Sequence, residues 1–467
     1  MSEKKECKNN NIEINKGAFK LENWRWFKIL RRKNIELAND RGLKVDDPIK
    51  YAVISFFALA ILLSGFIFNT PIEIFTGLAE IVKSPSILIT DYMVVGNIGA
   101  SFFNAGMLMF LTIGLSYRNN VHMNGSIIAA AFTIMGFAFF GKNLYNVLPI
   151  IGGVYLRARY QKTVLGKLLL PALFGTALGP LVSQVSFGFD FPLYVSIPLG
   201  IGFGLFVGFI LPPLANHFIP FHQGFNLYNV GFTAGMIGML MMTIFRSFNL
   251  ETPVVLLVQE GYNTPFLIYF FSFFSIMLVL GLIFNRFRKS SYKKLLQHSG
   301  RLVTDFVFLN GFGVSLINMA LLGLLSLGYI LLVGGEINGP TIGGIFTVVG
   351  FGAFGKHIQN VWPILVGVFL SSLLKVWDVS STGAILAALF GTTLAPIAGA
   401  YGPIYGIVAG FVHISMVMNV GMLHGGMNLY NNGFSGGFVA ALLVPMFDSL
   451  NRKNGGGKND TRTDESN

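Results

Sequence analysis

Cysteine is almost absent from the 467 residues: a single Cys7 excludes an intramolecular disulfide and any cysteine-clustered metal site. Charge is scarce as well. Asp, Glu, Lys and Arg make up 12% of the chain, about half of the roughly 25% usual in a soluble domain. All 21 Asp and Glu fall in polar flanks or expected loops, and none sits in the middle of an apolar run. Proton pumps and many ion-coupled carriers place carboxylates inside their spans. Their absence here points to passive permeation, or to coupling through backbone carbonyls. A glycine-rich nucleotide loop, a metal-spaced His/Glu pair and a G-x-S-x-G elbow are missing too. The expectation is a protein that is not an enzyme, with no catalytic residues, no cofactor and no metal.

What the chain has is apolar length. Hydrophobic residues make up 53%, the mean hydropathy is +0.63, and runs such as 51–68 and 266–284 carry no charge. Each is close to the roughly 20 residues that cross a bilayer as a helix. The 56 glycines lie largely within such runs, where small residues let membrane helices pack closely. The net charge of +12 does not indicate nucleic acid, because the basic residues flank the apolar runs instead of forming a separate soluble domain. In the polar start of the chain, 18–33 mixes Trp24, Trp26 and Phe27 with basic residues, as interfacial helices do; a solvated helix fits equally. Nothing there resembles a cleavable signal. The tail from Arg452 is Gly/Asn/Asp-rich and expected to be disordered.

An internal repeat organises the rest. Asn104 matches Asn318, Asn124-Gly125 matches Asn338-Gly339, Gly136-Phe137 matches Gly350-Phe351, and 141–149 (GKNLYNVLP) matches 355–363 (GKHIQNVWP), all 214 positions apart. Leu173-Phe174-Gly175-Thr176 matches Leu389-Phe390-Gly391-Thr392 at 216. The motif H-x-G-x-N-L-Y-N-x-G-F occurs at 222–232 and again at 424–434, 202 apart. Shared Asn, Lys and Pro at one fixed separation mark a duplicated unit.

Each half parses alike. Spans are expected near 50–68, 92–115, 165–185, 195–214 and 223–246, and near 266–286, 305–332, 383–399, 404–420 and 425–447. A hairpin precedes the third span of each half, at 125–156 and at 340–374. Five crossings per half require the second half to enter inverted. The distribution of basic residues supports this: 28 of the 33 Lys and Arg fall in segments assigned to one side, with Lys83, Arg246 and Lys375 on the other and Lys142 and Lys356 in the hairpins. The expected fold is an all-α polytopic membrane protein, an inverted repeat of 5+5 transmembrane helices with a re-entrant hairpin in each half. The expected divisions are a cytoplasmic segment 1–49, repeat 1 at 50–246, an external linker 247–265, repeat 2 at 266–447 and a cytoplasmic tail 448–467. Both termini are then cytoplasmic, in the cell membrane.

Inverted repeats commonly build a substrate path where the halves meet, so residues repeated once per half are the candidates. Lys142, Asn143 and Asn146 pair with Lys356, His357 and Asn360 around a Gly-Lys turn between apolar arms. Only ten residues separate Asn146 from Arg157, which favours a hairpin tip inside the membrane, where a lysine is usually functional. If both arms cross fully instead, the lysines lie in polar turns, and Asn146 and Asn360 cap helices. The second set is His222, Asn226 and Asn229 with His424, Asn428 and Asn431, expected to open the last helix of each half and to stand at opposite ends of one pathway; the bland alternative is capping and packing.

The stretch Gly141-Lys142-Asn143-Leu144-Tyr145-Asn146 resembles the pore-helix signature of the urea transporters, and Ile219-Pro220-Phe221 is similar to a Leu-Pro-Phe element of that family. The resemblance implies a five-plus-five inverted repeat with half-membrane pore helices. Gly421-Met422-Leu423 stands where the proline triplet would recur, and the pore carboxylate has no counterpart. As a whole the chain resembles an uncharacterised bacterial family of multi-pass membrane proteins, a domain of unknown function. The functional expectation is a channel or facilitative permease for a small neutral or anionic polar solute. An ion-coupled secondary transporter is the alternative, and a membrane enzyme or scaffold a third. The expected partners are the lipid bilayer and the solute, with no nucleic acid; a homo-oligomer is compatible.

Overall fold

The computed structural model describes residues 45–286, 288–374 and 376–454. Cys7, the stretch 18–33, Lys375 and the tail after Asn454 lie outside the described residues. The chain folds as helices: α1 (Asp47–Phe68), α2 (Pro71–Lys83), α3 (Tyr92–Val95), α4 (Ile98–Arg118), α5 (Gly125–Phe137), α6 (Leu144–Tyr160), α7 (Leu165–Gly188), α8 (Leu193–Phe218) and α9 (Asn229–Ser247). They are followed by α10 (Asn263–Phe284), α11 (Lys289–Leu295), α12 (Phe306–Leu309), α13 (Phe312–Leu332), α14 (Gly339–Phe351), α15 (Ile358–Leu374), α16 (Thr382–Tyr401), α17 (Pro403–His424) and α18 (Asn431–Asn454). Among the described residues ten helices are long and apolar enough to cross a membrane, one for each expected span.

From α3 to α6, every helix boundary recurs 214 positions later in α12 to α15. The sequence repeat is therefore a repeat of structure. At the centre α5 and α14 lie antiparallel, with Gly136 against Gly343, Gly350 against Ala129, and Gly125 at the start of one helix beside Ala353 at the end of the other. Glycine at these crossings lets the two backbones close up. Every residue of both helices is buried. Thirteen residues make about 20 Å of helix, less than the roughly 30 Å hydrocarbon core. The outer helices α1, α8, α10 and α17 instead expose apolar side chains such as Phe56, Leu63, Phe206, Phe271 and Ile404, as a lipid-facing perimeter does.

The bounds differ from expectation in two places. The spans expected from 92 and 305 begin at Ile98 and Phe312, because Asn97 caps Ala100 N at 2.7 Å and Gly311 turns at φ +99°. The last spans begin at Asn229 and Asn431 instead of 223 and 425, since Gly224 and Gly426 adopt positive φ that an α-helix does not accommodate. Helix α2 lies between the first two expected spans. Its Glu73, Glu80 and Lys83 mask an apolar face, Ile74 and Ile81, that packs inward.

The turns after α5 and α14 show how irregular backbone is satisfied away from water. Asn104, in the middle of α4, donates its amide to Ala138 O at 2.7 Å and Lys142 O at 2.8 Å. Asn318 does the same for Gly352 O and Lys356 O, both at 2.7 Å. Asn104→Leu strands two buried carbonyls, each worth about 1–3 kcal/mol. The expected result is a loss of about 2–6 kcal/mol, read as a lowered thermal midpoint of the purified protein. An unchanged midpoint would mean that the turn does not depend on this amide.

Candidate functional site

Lys142 and Lys356 are fully buried. The Lys142 ammonium donates to Thr176 Oγ1 at 2.8 Å and to Tyr430 OH at 2.7 Å; Lys356 donates to Thr392 Oγ1 at 2.6 Å and to Tyr228 OH at 2.5 Å. Each lysine thus takes its threonine from its own half and its tyrosine from the other. Three repeated motifs, far apart in sequence, converge on each ammonium. The threonines are available because α7 and α16 break there into a tight turn, at Thr176–Leu178 and Thr392–Leu394. Pro180 and Pro396 follow, and they lack the N–H that would continue the ladder. Carbonyls freed at the breaks accept from the other motif: Leu429 N bonds Ala177 O, and Leu227 N bonds Thr393 O, both at 3.0 Å. Among the described residues, neither lysine is paired with a carboxylate.

The other candidates mostly hold the backbone in place. Asn143 caps α6, and Asn146 closes a capping box with it while donating to Gly141 O at 2.9 Å and Ser183 Oγ at 3.0 Å. Asn360 Oδ1 accepts from His357 N at 2.9 Å, and the His357 ring bonds His298 O at 2.7 Å. The capping expected for Asn146 and Asn360 therefore occurs, together with buried lysines. His222 Nε2 meets Asn229 Oδ1, and His424 Nε2 meets Asn431 Oδ1, each at 2.9 Å. Asn226 donates to Gly433 O at 2.9 Å and accepts from Thr393 Oγ1 at 2.6 Å, while Asn428 donates to Gly231 O at 3.4 Å. The two copies of this motif were expected at opposite ends of a pathway. They contact each other instead, where Gly231 and Gly433 let the chains touch.

Two acidic residues at the edges of expected spans bind backbone of the opposite half. Asp91 is fully buried; its carboxylate accepts from Met93 N at 2.9 Å, Gln259 N at 3.0 Å and Gly339 N at 2.9 Å. Asp305 accepts from Gly125 N at 2.9 Å and Phe308 N at 3.0 Å. Each half therefore caps the short central helix of the other with a carboxylate, which suits the positive end of a helix. Burial pushes the Asp91 carboxyl up to about 6 against its backbone bonds, and burial raises Asp305 as well. The two lie 214 positions apart, the separation that could have revealed them.

A cavity of about 230 Å³ lies between the halves. Its walls are repeat pairs: Thr133 and Thr347, Phe137 and Phe351, Phe174 and Phe390, Leu227 and Leu429, Tyr228 and Tyr430. Of the sequence candidates only Asn229 reaches it, and the lysines stand behind its aromatic wall. Beyond this symmetric core the cavity runs to one end only, past Ser126, Pro171, Asn216, Ile219, Leu302 and Val303. Their counterparts Pro340, Ala387, Met418, Gly421, Leu88 and Ile89 do not line it. There the segment joining the halves lies against the chain, with Ile89 N bonding Val255 O at 2.8 Å and Leu257 N bonding Ile89 O at 3.0 Å. Among the described residues no three His, Cys, Asp or Glu side chains cluster to hold a metal ion.

Ten apolar spans around a buried polar centre define a polytopic helical membrane protein. Within that class the chain belongs to the family described as "Protein of unknown function (DUF1576)", which it matches over residues 70–247 and 285–449. No curated protein and no solved structure matches it.

Proposed function

We propose that this protein is a permease for a small neutral or anionic polar solute, with its pathway between two halves inserted in opposite directions. The observation that carries this is the cavity: it is walled by equivalent residues of both halves and lies beside two interrupted helices, the setting in which secondary transporters bind their solutes. The antiparallel packing of α5 and α14, the odd number of spans per half and the one-sided basic loops all support inversion. In this reading α5–α6 and α14–α15 are re-entrant hairpins, both termini are cytoplasmic in the cell membrane, and 247–265 is an external linker between repeats 50–246 and 266–447. A solute screen with purified protein in liposomes tests the function; flux no greater than in protein-free vesicles for every solute would end it.

The cavity's extension to one end favours alternating access over an open channel. That end carries 157–167 and 286–301, the basic and hence cytoplasmic segments, while the segment around Val255 and Leu257 covers the other. Topology is tested with Thr163→Cys and Ser380→Cys in a Cys7→Ser background. In intact cells an impermeant thiol reagent is expected to label position 380 and not 163. Labelling of both from the same side would remove the inversion.

A further inference from the structure

We infer that the solute is a small organic monoanion with an apolar body about one ring in size, an inference that rests on the permease reading and narrows it. Volume and lining come first. An apolar cavity of about 150 Å³ holds benzene, so about 230 Å³ accommodates a ring with one polar substituent. Five phenylalanines, Phe137, Phe174, Phe351, Phe354 and Phe390, form much of the wall. A wholly polar solute such as urea or glycerol would exchange water for phenyl faces on those sides.

The sign of the charge follows from what stands behind the rings. An aromatic box ordinarily attracts cations. Here four of the rings already hold a lysine: Lys142 Nζ lies 4.5 Å from the Tyr430 ring centroid and 5.3 Å from that of Phe137, and Lys356 Nζ lies 4.6 Å from Tyr228 and 5.3 Å from Phe351. Neither lysine has a carboxylate partner among the described residues, so an anion in the cavity supplies the counter-charge that favours their charged form, and a cation opposes it. The hydrogen bonds carry the preference inward. Thr176 and Thr392 give their hydroxyl protons to Leu173 O and Leu389 O, so both accept from the lysines. A tyrosine hydroxyl that accepts from an ammonium keeps its own proton to donate, and Tyr228 and Tyr430 both face the cavity. A carboxylate, which only accepts hydrogen bonds, suits a wall that carries such donors.

A third donor awaits the solute. Thr133 Oγ1 is buried and has no hydrogen-bond partner, whereas its repeat equivalent Thr347 donates to Gly343 O at 2.8 Å. The pair is equivalent in sequence but not in bonding, which leaves one hydroxyl free to orient an asymmetric molecule.

The experiment uses the full chain in proteoliposomes with benzoate, its neutral isostere benzamide, the cation benzylamine, and acetate, phosphate, urea and glycerol. The expected result is saturable benzoate uptake, at least tenfold slower benzamide uptake and benzylamine at the protein-free rate. Thr133→Val, which keeps the volume and removes the hydroxyl, should raise the half-saturating benzoate concentration about tenfold, with the thermal midpoint as the control for folding. Flux of urea, glycerol, acetate or phosphate with none of benzoate would overturn this inference and leave the permease standing. Equal benzoate and benzylamine uptake would also overturn it. Flux of no solute would remove both.

Discussion

Lys142→Met and Lys356→Met together are expected to slow anion uptake at least a hundredfold while leaving the protein folded. A unit charge about 8 Å from a solute, at an effective dielectric of about 20, is worth roughly 2 kcal/mol, and two such charges flank the cavity behind Tyr430 and Tyr228. Folding should survive, because replacing a buried charge by an apolar side chain of similar length removes its desolvation penalty. Thr176 and Thr392 also keep their own bonds to Leu173 O and Leu389 O. Uptake of a neutral solute should change little, so the anion-to-neutral ratio is the quantity to measure. An unchanged ratio in a correctly folded double variant would reduce the lysines to packing.

The reciprocal carboxylates should have the next largest effect. Asp91→Leu leaves Met93 N, Gln259 N and Gly339 N without their acceptor. At about 1–3 kcal/mol for each stranded group, the loss is at least about 3 kcal/mol. Asp91→Asn serves a different purpose. With the folded carboxyl pushed up to about 6, the folded protein binds this proton more tightly than the unfolded chain does. Its contribution is fully present below the ordinary carboxyl value near 4 and is lost as pH rises through 6. Two units correspond to about 3 kcal/mol. Wild type is therefore expected to lose stability from pH 4 to pH 6 relative to Asp91→Asn, with parallel curves above that window. Parallel curves throughout would mean that Asp91 titrates normally, its backbone hydrogen bonds offsetting its burial.

The spans, the duplicated order of elements and the importance of both lysines were legible in the sequence because each is carried by composition or by a fixed separation. The partnership of Lys142 with Tyr430 was not. It depends on the halves crossing so that a motif from one reaches the turn of the other, and neither sequence copy records that. Asn143, Asn146 and Asn360 were legible as polar repeat residues, but a polar residue that lines a path and one that caps a helix look alike until its hydrogen bonds are seen. Asp91 was hidden for the opposite reason. Hydropathy marks 84–91 as a gap between apolar runs and is blind to the start of α14 lying against it. Thr133 and Thr347 share the repeat separation too, yet a threonine in an apolar run gives no signal until a cavity opens beside it.

The central claim, that solute passes between the halves through this cavity, is tested most directly by closing the cavity chemically. Thr133→Cys in a Cys7→Ser background is reconstituted, and uptake of benzoate, urea, glycerol and phosphate is measured before and after modification with a bulky thiol reagent. A group attached at position 133 takes up space in the cavity that Thr133 lines. The account predicts that whichever solutes enter will lose at least nine-tenths of their flux, roughly 1.4 kcal/mol or more in the barrier, with no loss in the Cys7→Ser background. Complete modification with undiminished flux would contradict it, because the solute would then be crossing elsewhere.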